Sequence, residues 1–356
     1  MTVIHVVEAY EGGVIEFINS LTKQLIQHDH IIIHSERAGD IKVSYEDNVS
    51  FIKWPYAQRE ISVINDLKSA LSLLKILRKI EYDAIHLHSS KAGFIGRAIT
   101  PFLKNRSVIY SPNGAAFNRL DVSKRKRTMY KLIEKIASRL GGSVVSVSHS
   151  EATDFLKAGV SGYYINNGIA IEERLQSKLL NEKIIVGTVG RITPQKNPGL
   201  FNQIANYFVD NKNVEFIWIG GGELNSALDS PNISITGWLP KSEAVTYLDG
   251  IDIYLSTALW EGLPFAVLDA MNHKKALVLN RCTGNIDLIR DNGYLFENLD
   301  GATNAINKLL TDPERIVSLG INSFSLLKSN FSVEQMARQY EYAYLGDFEK
   351  LNTPKS

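Results

Sequence analysis

Three short stretches hold residues whose types and spacing could do chemistry. In the first, Gly190-Arg191-Ile192-Thr193-Pro194-Gln195-Lys196-Asn197-Pro198, two cations share one loop just after the β-branched run Ile184–Val189. An arginine fork and a lysine point charge can neutralise a diphosphate; a solvated basic loop would read the same way. In the second, Trp260-Glu261-Gly262-Leu263-Pro264 opens a helical stretch that carries Asp269 about two turns in. Carboxylates accept paired hydrogen bonds from the hydroxyls of a sugar or a ribose. Equally, an acid at a helix start is favoured by the macrodipole, and Asp269 would then be a surface acid. In the third, Gly12-Gly13 follow the strand-like run Val3–Val7. Glycines let backbone approach a ligand and a helix N-terminus attracts phosphate, although a plain tight turn uses the same residues. The fingerprint G-x-G-x-x-G is absent from this turn, which argues against a nicotinamide dinucleotide.

Other chemistry-bearing residues are scattered. His86 and His88 alternate along a strand-like run, with the expectation that one of the pair faces each side. With the remaining histidines dispersed, no metal site is expected. Ser146, Ser148 and His149 suggest a nucleophile and base, but no third member is evident, and Ser148 or His149 suits a helix start. Ser90 and Lys91 precede a helix and are candidates for an acceptor phosphate; a helix cap explains the serine equally well.

These residues need elements to hold them. Apolar, β-branched runs at Val3–Val7, His30–His34, Val49–Trp54, Ala84–His88, Ser107–Tyr110 and Ser143–Val147 predict strands. Helical spacing lies between them at Val14–His28, Ile61–Ile80 and Ala92–Leu103. It is clearest in Lys124–Leu140, where Met129, Leu132, Ile133, Ile136, Ala137 and Leu140 recur on one period. The rhythm restarts with strands at Ile184–Val189, Val214–Ile219, Ile233–Thr236, Ile251–Ser256 and Ala276–Leu279. Helices are expected at Asn197–Asp210, Ser242–Leu248 and Leu263–Asn272. Alternating β and α predicts mostly parallel sheets covered on both faces. The fold class is therefore α/β, with two Rossmann-like doubly wound domains facing across a cleft, where ligands bind at the carboxyl ends of the strands. The domains are residues 1–165 and 166–332. A helix in 333–356, starting at Val333, is expected to return to the first.

The chain has 356 residues, comfortable for two domains. No apolar run is long enough for a membrane helix, the N-terminus lacks the pattern of a secretory signal, and the single cysteine, Cys282, fits a reducing compartment. The expectation is a cytoplasmic protein. The formal net charge of +1 hides a split: residues 1–165 carry 22 Lys and Arg against 16 Asp and Glu, whereas residues 166–356 carry 17 against 22. A basic first half is suited to an anionic partner such as a membrane surface or a phosphorylated acceptor; ordinary surface variation is the alternative. Lys124–Arg127 crowd one helix start, which is normally a solvated end but would be attracted to an anionic leaflet.

With these residues in place the chain resembles the family 4 retaining glycosyltransferases of the GT-B fold. The resemblance rests on GRITPQKNP at 190–198 and EGLPFAVLDAM at 261–271. It extends through the glycine pair, HLHSSKAG at 86–93, SVSHSE at 146–151, INNGI at 165–169, GGGE at 220–223 and GWLP at 237–240. HLHSSKAG is most similar to enzymes that build bacterial surface polysaccharides. The resemblance implies that Arg191 and Lys196 hold the donor diphosphate and that Glu261 binds donor-sugar hydroxyls. Asp269 stands where the family usually has a glutamate on the ribose. Backbone at Gly13 and Gly190 would approach the donor, Gly237, Trp238 and Leu239 would lie beside the base, and Asn285 would line the pocket. Asn113, in YSPNG, stands where the family often has a histidine near the reacting carbon; asparagine cannot titrate near neutrality and so cannot act as a general base. No Asp-x-Asp occurs, so the manganese-binding element of the other major glycosyltransferase fold is missing.

The implied activity is hexosyl transfer with retained configuration from a nucleotide-diphosphate sugar, UDP-sugar favoured, to a glycan acceptor such as a lipid-linked polysaccharide precursor. No cofactor, no metal and no nucleic acid are expected, and the enzyme would sit in the cytoplasm or peripherally on the inner face of the membrane. A nonhydrolysing sugar-nucleotide epimerase, a non-catalytic sugar-nucleotide-binding protein and a dehydrogenase are the rival readings, since fold alone does not fix function.

Overall fold

The computed structural model describes residues 1–10, 12–35, 47–58, 62–103, 107–173 and 183–354. The chain divides into two compact units, one of Met1–Asn118, Val122–Ala170 and Val333–Ser356, the other of Arg119–Asp121 and Ile171–Ser332.

In the first unit β1 (Thr2–Val7), α1 (Gly13–Gln24), β2 (Asp29–His34), β3 (Val49–Lys53), α2 (Val63–Leu77), β4 (Ala84–His88), α3 (Ser89–Ile99) and β5 (Ser107–Ser111) come first. They are followed by α4 (Lys124–Ala137), β6 (Ser143–Ser146), α5 (His149–Lys157) and β7 (Tyr163–Tyr164). The sheet order is β3-β2-β1-β4-β5-β6-β7 and its pairings are parallel. All five residues of β4 are buried, as a central parallel strand covered on both faces requires. One face packs Leu73, Leu77, Ala92, Ile95 and Ile99 against Ile85, Leu87 and Tyr110.

In the second unit the chain runs through β8 (Ile184–Val189), α6 (Pro198–Tyr207), β9 (Val214–Ile219), β10 (Ile233–Ile235), α7 (Lys241–Thr246) and β11 (Ile253–Ser256). Then come α8 (Phe265–Asn272), β12 (Ala276–Asn280), β13 (Gly293–Phe296), α9 (Leu299–Thr311) and α10 (Pro313–Asn330). Its sheet, again parallel, has the order β10-β9-β8-β11-β12-β13. Both units are therefore doubly wound α/β sheets. In each the strand order reverses beside the first strand, between β1 and β4 and between β8 and β11, the switch point where such sheets take their ligands.

The last helix, α11 (Val333–Leu345), belongs to the first unit. Tyr344 and Tyr340 reach His86 and Ser111, and Ser107 Oγ donates to Ala343 O at 2.8 Å.

The helix expected over Lys124–Leu140 is present as α4, with most of its apolar period turned outward. Ala137 is buried, while Met129, Leu132, Ile136 and Leu140 are exposed; the inward side is completed instead by Glu134, paired with Arg97 at 2.7 Å. One expectation needs correction: His86 and His88 do not face opposite ways. Residues two apart on a strand share a face, and both rings are buried with their centroids 4.0 Å apart.

Candidate functional site

The chemistry of the second unit gathers at its switch point. Gly190 ends β8 in a left-handed conformation at φ 147°, and its loop is laced to the loop after β9: Gly190 N donates to Ile219 O and Ile192 N to Gly221 O. The approach is so close that a Cβ on Gly220 would lie 2.3 Å from Gly190 O, and one on Gly222 2.4 Å from Ile192 O. Glycine is required at both places. Lys196 follows in a short 3-10 turn, and Asn197, at φ 52°, caps α6 with Pro198 at the first helical position.

The loop after β11 closes against this one. Thr257 Oγ1 donates to Lys196 O at 2.7 Å, Leu259 N to Gln195 O at 2.9 Å, and Gln195 Nε2 to Trp260 O at 2.9 Å. These bonds bring Lys196 Nζ to 2.7 Å from Glu261 Oε1, and Gln195 Nε2 lies 3.4 Å from Glu261 Oε2. Glu261 is 8% exposed. Burial disfavours the charged ammonium of Lys196, but the Glu261 carboxylate and the nearby Tyr254 outweigh it, and its pKa lies above the ordinary lysine value. The pair is thus a fixed charge–charge contact in a partly dry setting, where electrostatics count for more than in water. Arg191 is exposed on the same loop. Cys282 lies close by, and burial raises its thiol pKa well above the usual value, with Glu261 adding to the shift. It is an inert thiol, not a nucleophile.

The remaining second-unit candidates follow the carboxyl ends of β10, β11 and β12. Asp269 is on α8, which begins at Phe265 rather than Leu263, so it lies one turn into the helix, not two; Lys241 Nζ approaches it at 3.9 Å. Gly237 has φ 74° and open space where a Cβ would stand. Trp238 is 71% exposed and lies against Gly221, whose added Cβ would be 3.3 Å from the indole Cδ1; Leu239 beside it is half-buried. Asn285 is fully buried. Its Nδ2 donates to Asn280 O at 3.0 Å, while its Oδ1 has no partner among the described residues.

The first-unit candidates lie at the carboxyl edge of its own sheet. Gly13 opens α1, and Gly12 before it has φ 60° and ψ −134°, a conformation suited to glycine. Asn113 follows β5 with φ 55°, and its Nδ2 donates to Ser111 O at 3.1 Å. Its loop is fastened by Glu151, whose buried carboxylate accepts Gly114 N at 2.7 Å and Val147 N at 2.9 Å. Burial raises the Glu151 pKa to about 7, against the lowering effect of those backbone bonds. Ser148 caps α5 by accepting from Glu151 N at 3.1 Å. Ser90 and Lys91 are in the first turn of α3, after His88 at the cap position. Lys91 Nζ is 2.5 Å from Asp66 Oδ1, and Ser90 bonds to Tyr110.

Sequence reasoning missed Gln195, Thr257 and Glu151. Gln195 sits inside GRITPQKNP and Glu151 inside SVSHSE, so position in a motif was the available signal; Thr257, just past a strand end, gave none.

Among the described residues, His5, His86 and His88 have ligand-capable atoms within 4.8 Å of one another. Both nitrogens of His5 and His86 and Nε2 of His88 are already used, while His88 Nδ1 has no partner among the described residues. His30 Nε2 lies 3.3 Å from Leu25 O, His30 Nδ1 3.0 Å from His5 Nε2, and His5 Nδ1 3.0 Å from His88 Nε2. His86 lies 2.9 Å from both Tyr344 Oη and Ser111 Oγ. One proton per ring satisfies every one of these contacts, with each imidazole neutral. Burial depresses all four pKa values, to about 4 for His30 and about 3 for His88, and lower than ordinary for His5 and His86. The cluster is a hydrogen-bonded core beneath α11.

With the geometry set out, comparisons with known proteins align with it. The description "Glycosyltransferase Family 4" matches residues 11–173, and "Glycosyl transferases group 1" matches residues 183–312. The chain is 26% identical over 347 residues to the Escherichia coli UDP-Gal:alpha-D-GlcNAc-diphosphoundecaprenol alpha-1,3-galactosyltransferase, covering 87% of each. It is 25% identical over 322 residues to the Staphylococcus aureus capsular polysaccharide biosynthesis glycosyltransferase CapM, covering 81% of this chain and 83% of that one. The solved structure of Anabaena HepE in complex with UDP and glucose superimposes with a TM-score of 0.77 at 17% identity, over 97% of this chain and all of that one. Two family matches spanning most of the sequence and two doubly wound sheets lead to one conclusion: the chain belongs to the family 4 glycosyltransferases of the GT-B fold.

Proposed function

We propose that this enzyme transfers a hexosyl group, with retention of configuration and without a metal ion, from a UDP-sugar to a lipid-linked precursor of a bacterial surface polysaccharide. The observation that carries this reading is the Lys196–Glu261 pair held at the switch point of the second unit. Support for the donor comes from the UDP complexes of HepE. Support for the acceptor comes from the E. coli relative, whose name specifies a diphosphoundecaprenol-linked sugar.

In the proposed reaction Lys196 and Arg191 hold the diphosphate, and Glu261 accepts hydrogen bonds from sugar hydroxyls while orienting the ammonium. Asp269 reaches the ribose, Trp238 with Gly237 and Leu239 flanks the base, and Asn285 turns its unpaired Oδ1 to the donor. The bond between the anomeric carbon and the diphosphate oxygen breaks, and negative charge grows on that oxygen. The cations stabilise it in the transition state. The acceptor hydroxyl oxygen bonds to the anomeric carbon on the face the diphosphate leaves, and its proton passes to the departing oxygen. Asn113 has no part in that proton transfer, because its amide does not titrate.

A thermal-shift panel of sugar nucleotides tests the donor: a bound UDP-sugar raises the melting temperature by mass action, and a panel with no shift counts against the reading. Product anomers assigned by NMR test retention, with inversion as the contrary result. Undiminished turnover in excess EDTA is expected, and loss of activity would contradict the metal-free step.

A further inference from the structure

In the first unit α2, α3 and α4 pack side by side, with α3 between the other two. Their inward residues are accounted for by Leu73, Leu77, Ala92 and Ile95 in the core and by the Arg97–Glu134 pair. Their outward residues are apolar where a solvated face would be polar. On α2, Val63, Ile64, Leu67 and Leu71 are exposed, Val63 by 82% and Leu67 by 61%. On α4 and just beyond it, Met129, Leu132, Ile136 and Leu140 repeat at helical spacing, with Leu132 57% and Ile136 48% exposed. Ile136 lies about 200° around the helix from buried Glu134, so the stripe points away from the core. Phe94 is the exposed residue of α3, between the two stripes.

The charge on this layer has one sign. Helices α2, α3 and α4 carry ten Lys and Arg against two acids. Both acids are already paired, Asp66 with Lys91 at 2.5 Å and Glu134 with Arg97 at 2.7 Å. Exposed apolar patches of this kind mark interaction surfaces. The core of a protein–protein interface is depleted of charge, and a second copy of this face would meet the first with like charges. Apolar stripes bordered by lysine and arginine suit instead the boundary between acyl chains and headgroups of an anionic bilayer.

We propose that the outer face of α2, α3 and α4 docks on a leaflet of anionic phospholipid, with Met129, Leu132, Ile136, Val63 and Leu67 entering the acyl boundary and the α4 cations contacting headgroups. Docking itself needs no transferase chemistry; its use, holding the enzyme where a lipid-linked acceptor lies, rests on the proposed function.

The test is co-sedimentation of the full chain with vesicles of phosphatidylcholine alone or with about a third phosphatidylglycerol, at low and high salt. Binding is expected to the anionic vesicles and to weaken with salt. The Leu132→Asp/Ile136→Asp variant and the Lys124→Gln/Arg125→Gln/Lys131→Gln/Lys135→Gln variant should each lose at least about tenfold in vesicle affinity, since each cation near the leaflet contributes about fivefold. Ile321→Ser, an exposed apolar change in the second unit, should bind like the parent. All substituted positions are exposed, and an unchanged melting temperature and UDP-induced shift check the fold. Equal binding to both vesicle types, retained binding by the Leu132/Ile136 variant, or a salt-insensitive dimer broken by that variant would each overturn the proposal. A parent chain that binds anionic vesicles but shows no shift with UDP would sink the proposed function and leave the docking face standing.

Discussion

At the scale of single residues the account turns on contacts between a few side chains. Lys196→Ala removes the cation proposed to meet the growing negative charge and should lower kcat by about 10²–10³-fold, the cost of losing one transition-state donor. It also strands the buried Glu261 carboxylate, so a fall of several degrees in melting temperature should accompany it. Steady-state kinetics beside calorimetry separates the two effects. Near-parental kcat would remove Lys196 from the chemistry. Asn113 makes a subtler case. Its φ of 55° is one that asparagine and glycine tolerate and β-branched residues do not. Asn113→Gly should keep the parental stability, whereas Asn113→Val should cost about 1–2 kcal/mol, read by denaturant unfolding. The lysine and glutamate were legible in the sequence because they stand in GRITPQKNP and EGLPFAVLDAM, the stretches that carry the family resemblance; residue type alone left a solvated loop and a helix-start acid open. Their pairing was not legible, because 65 residues separate them and only the adjacency of β8 and β11 joins them.

At the scale of elements, the loops at the second switch point are fixed by backbone rather than side chains. Gly220→Ala would force a Cβ to 2.3 Å from Gly190 O at a φ of 134°. The expected result is a loss of at least about 2 kcal/mol together with weakened UDP binding, measured by calorimetry on the same sample. An unaffected variant would show that the two loops are not locked together. Most strands were legible from β-branched runs, because parallel strands buried on both faces leave continuous apolar sequence. Tyr163–Tyr164 was not, since two residues carry no period. Gly293–Phe296 lacks β-branched residues and was missed too. The period of α4 made the helix legible, but a period reports that a stripe exists, not which solvent it meets. The two histidines of β4 were placed on opposite faces when the strand period puts them on the same one.

At the scale of the whole molecule, α11 starts after the second unit has ended and yet completes the first, over the four buried histidines. These rings are neutral when folded and would take up protons when unfolded, because their folded pKa values are depressed. Their contribution to stability is complete above the unfolded histidine pKa and is lost as pH falls from about 6.5 toward 4. Glu151 acts the other way. Its raised pKa, about 7, means that the folded form gains a proton the unfolded form lacks between about 4.5 and 7. Four rings outweigh one carboxyl, so unfolding of the first unit should become easier at pH 5 than at pH 7.5. Hydrogen exchange at α11 amides reports it, and equal protection at the two pH values would contradict the neutral-histidine core. The central claim, that Lys196 and its loop grip the donor diphosphate, is tested most directly by calorimetric titration of UDP into the parent chain and into folded Lys196→Ala. The account predicts that the variant binds UDP at least about tenfold more weakly, the worth of one charge-assisted contact; equal affinity in the two proteins would contradict it.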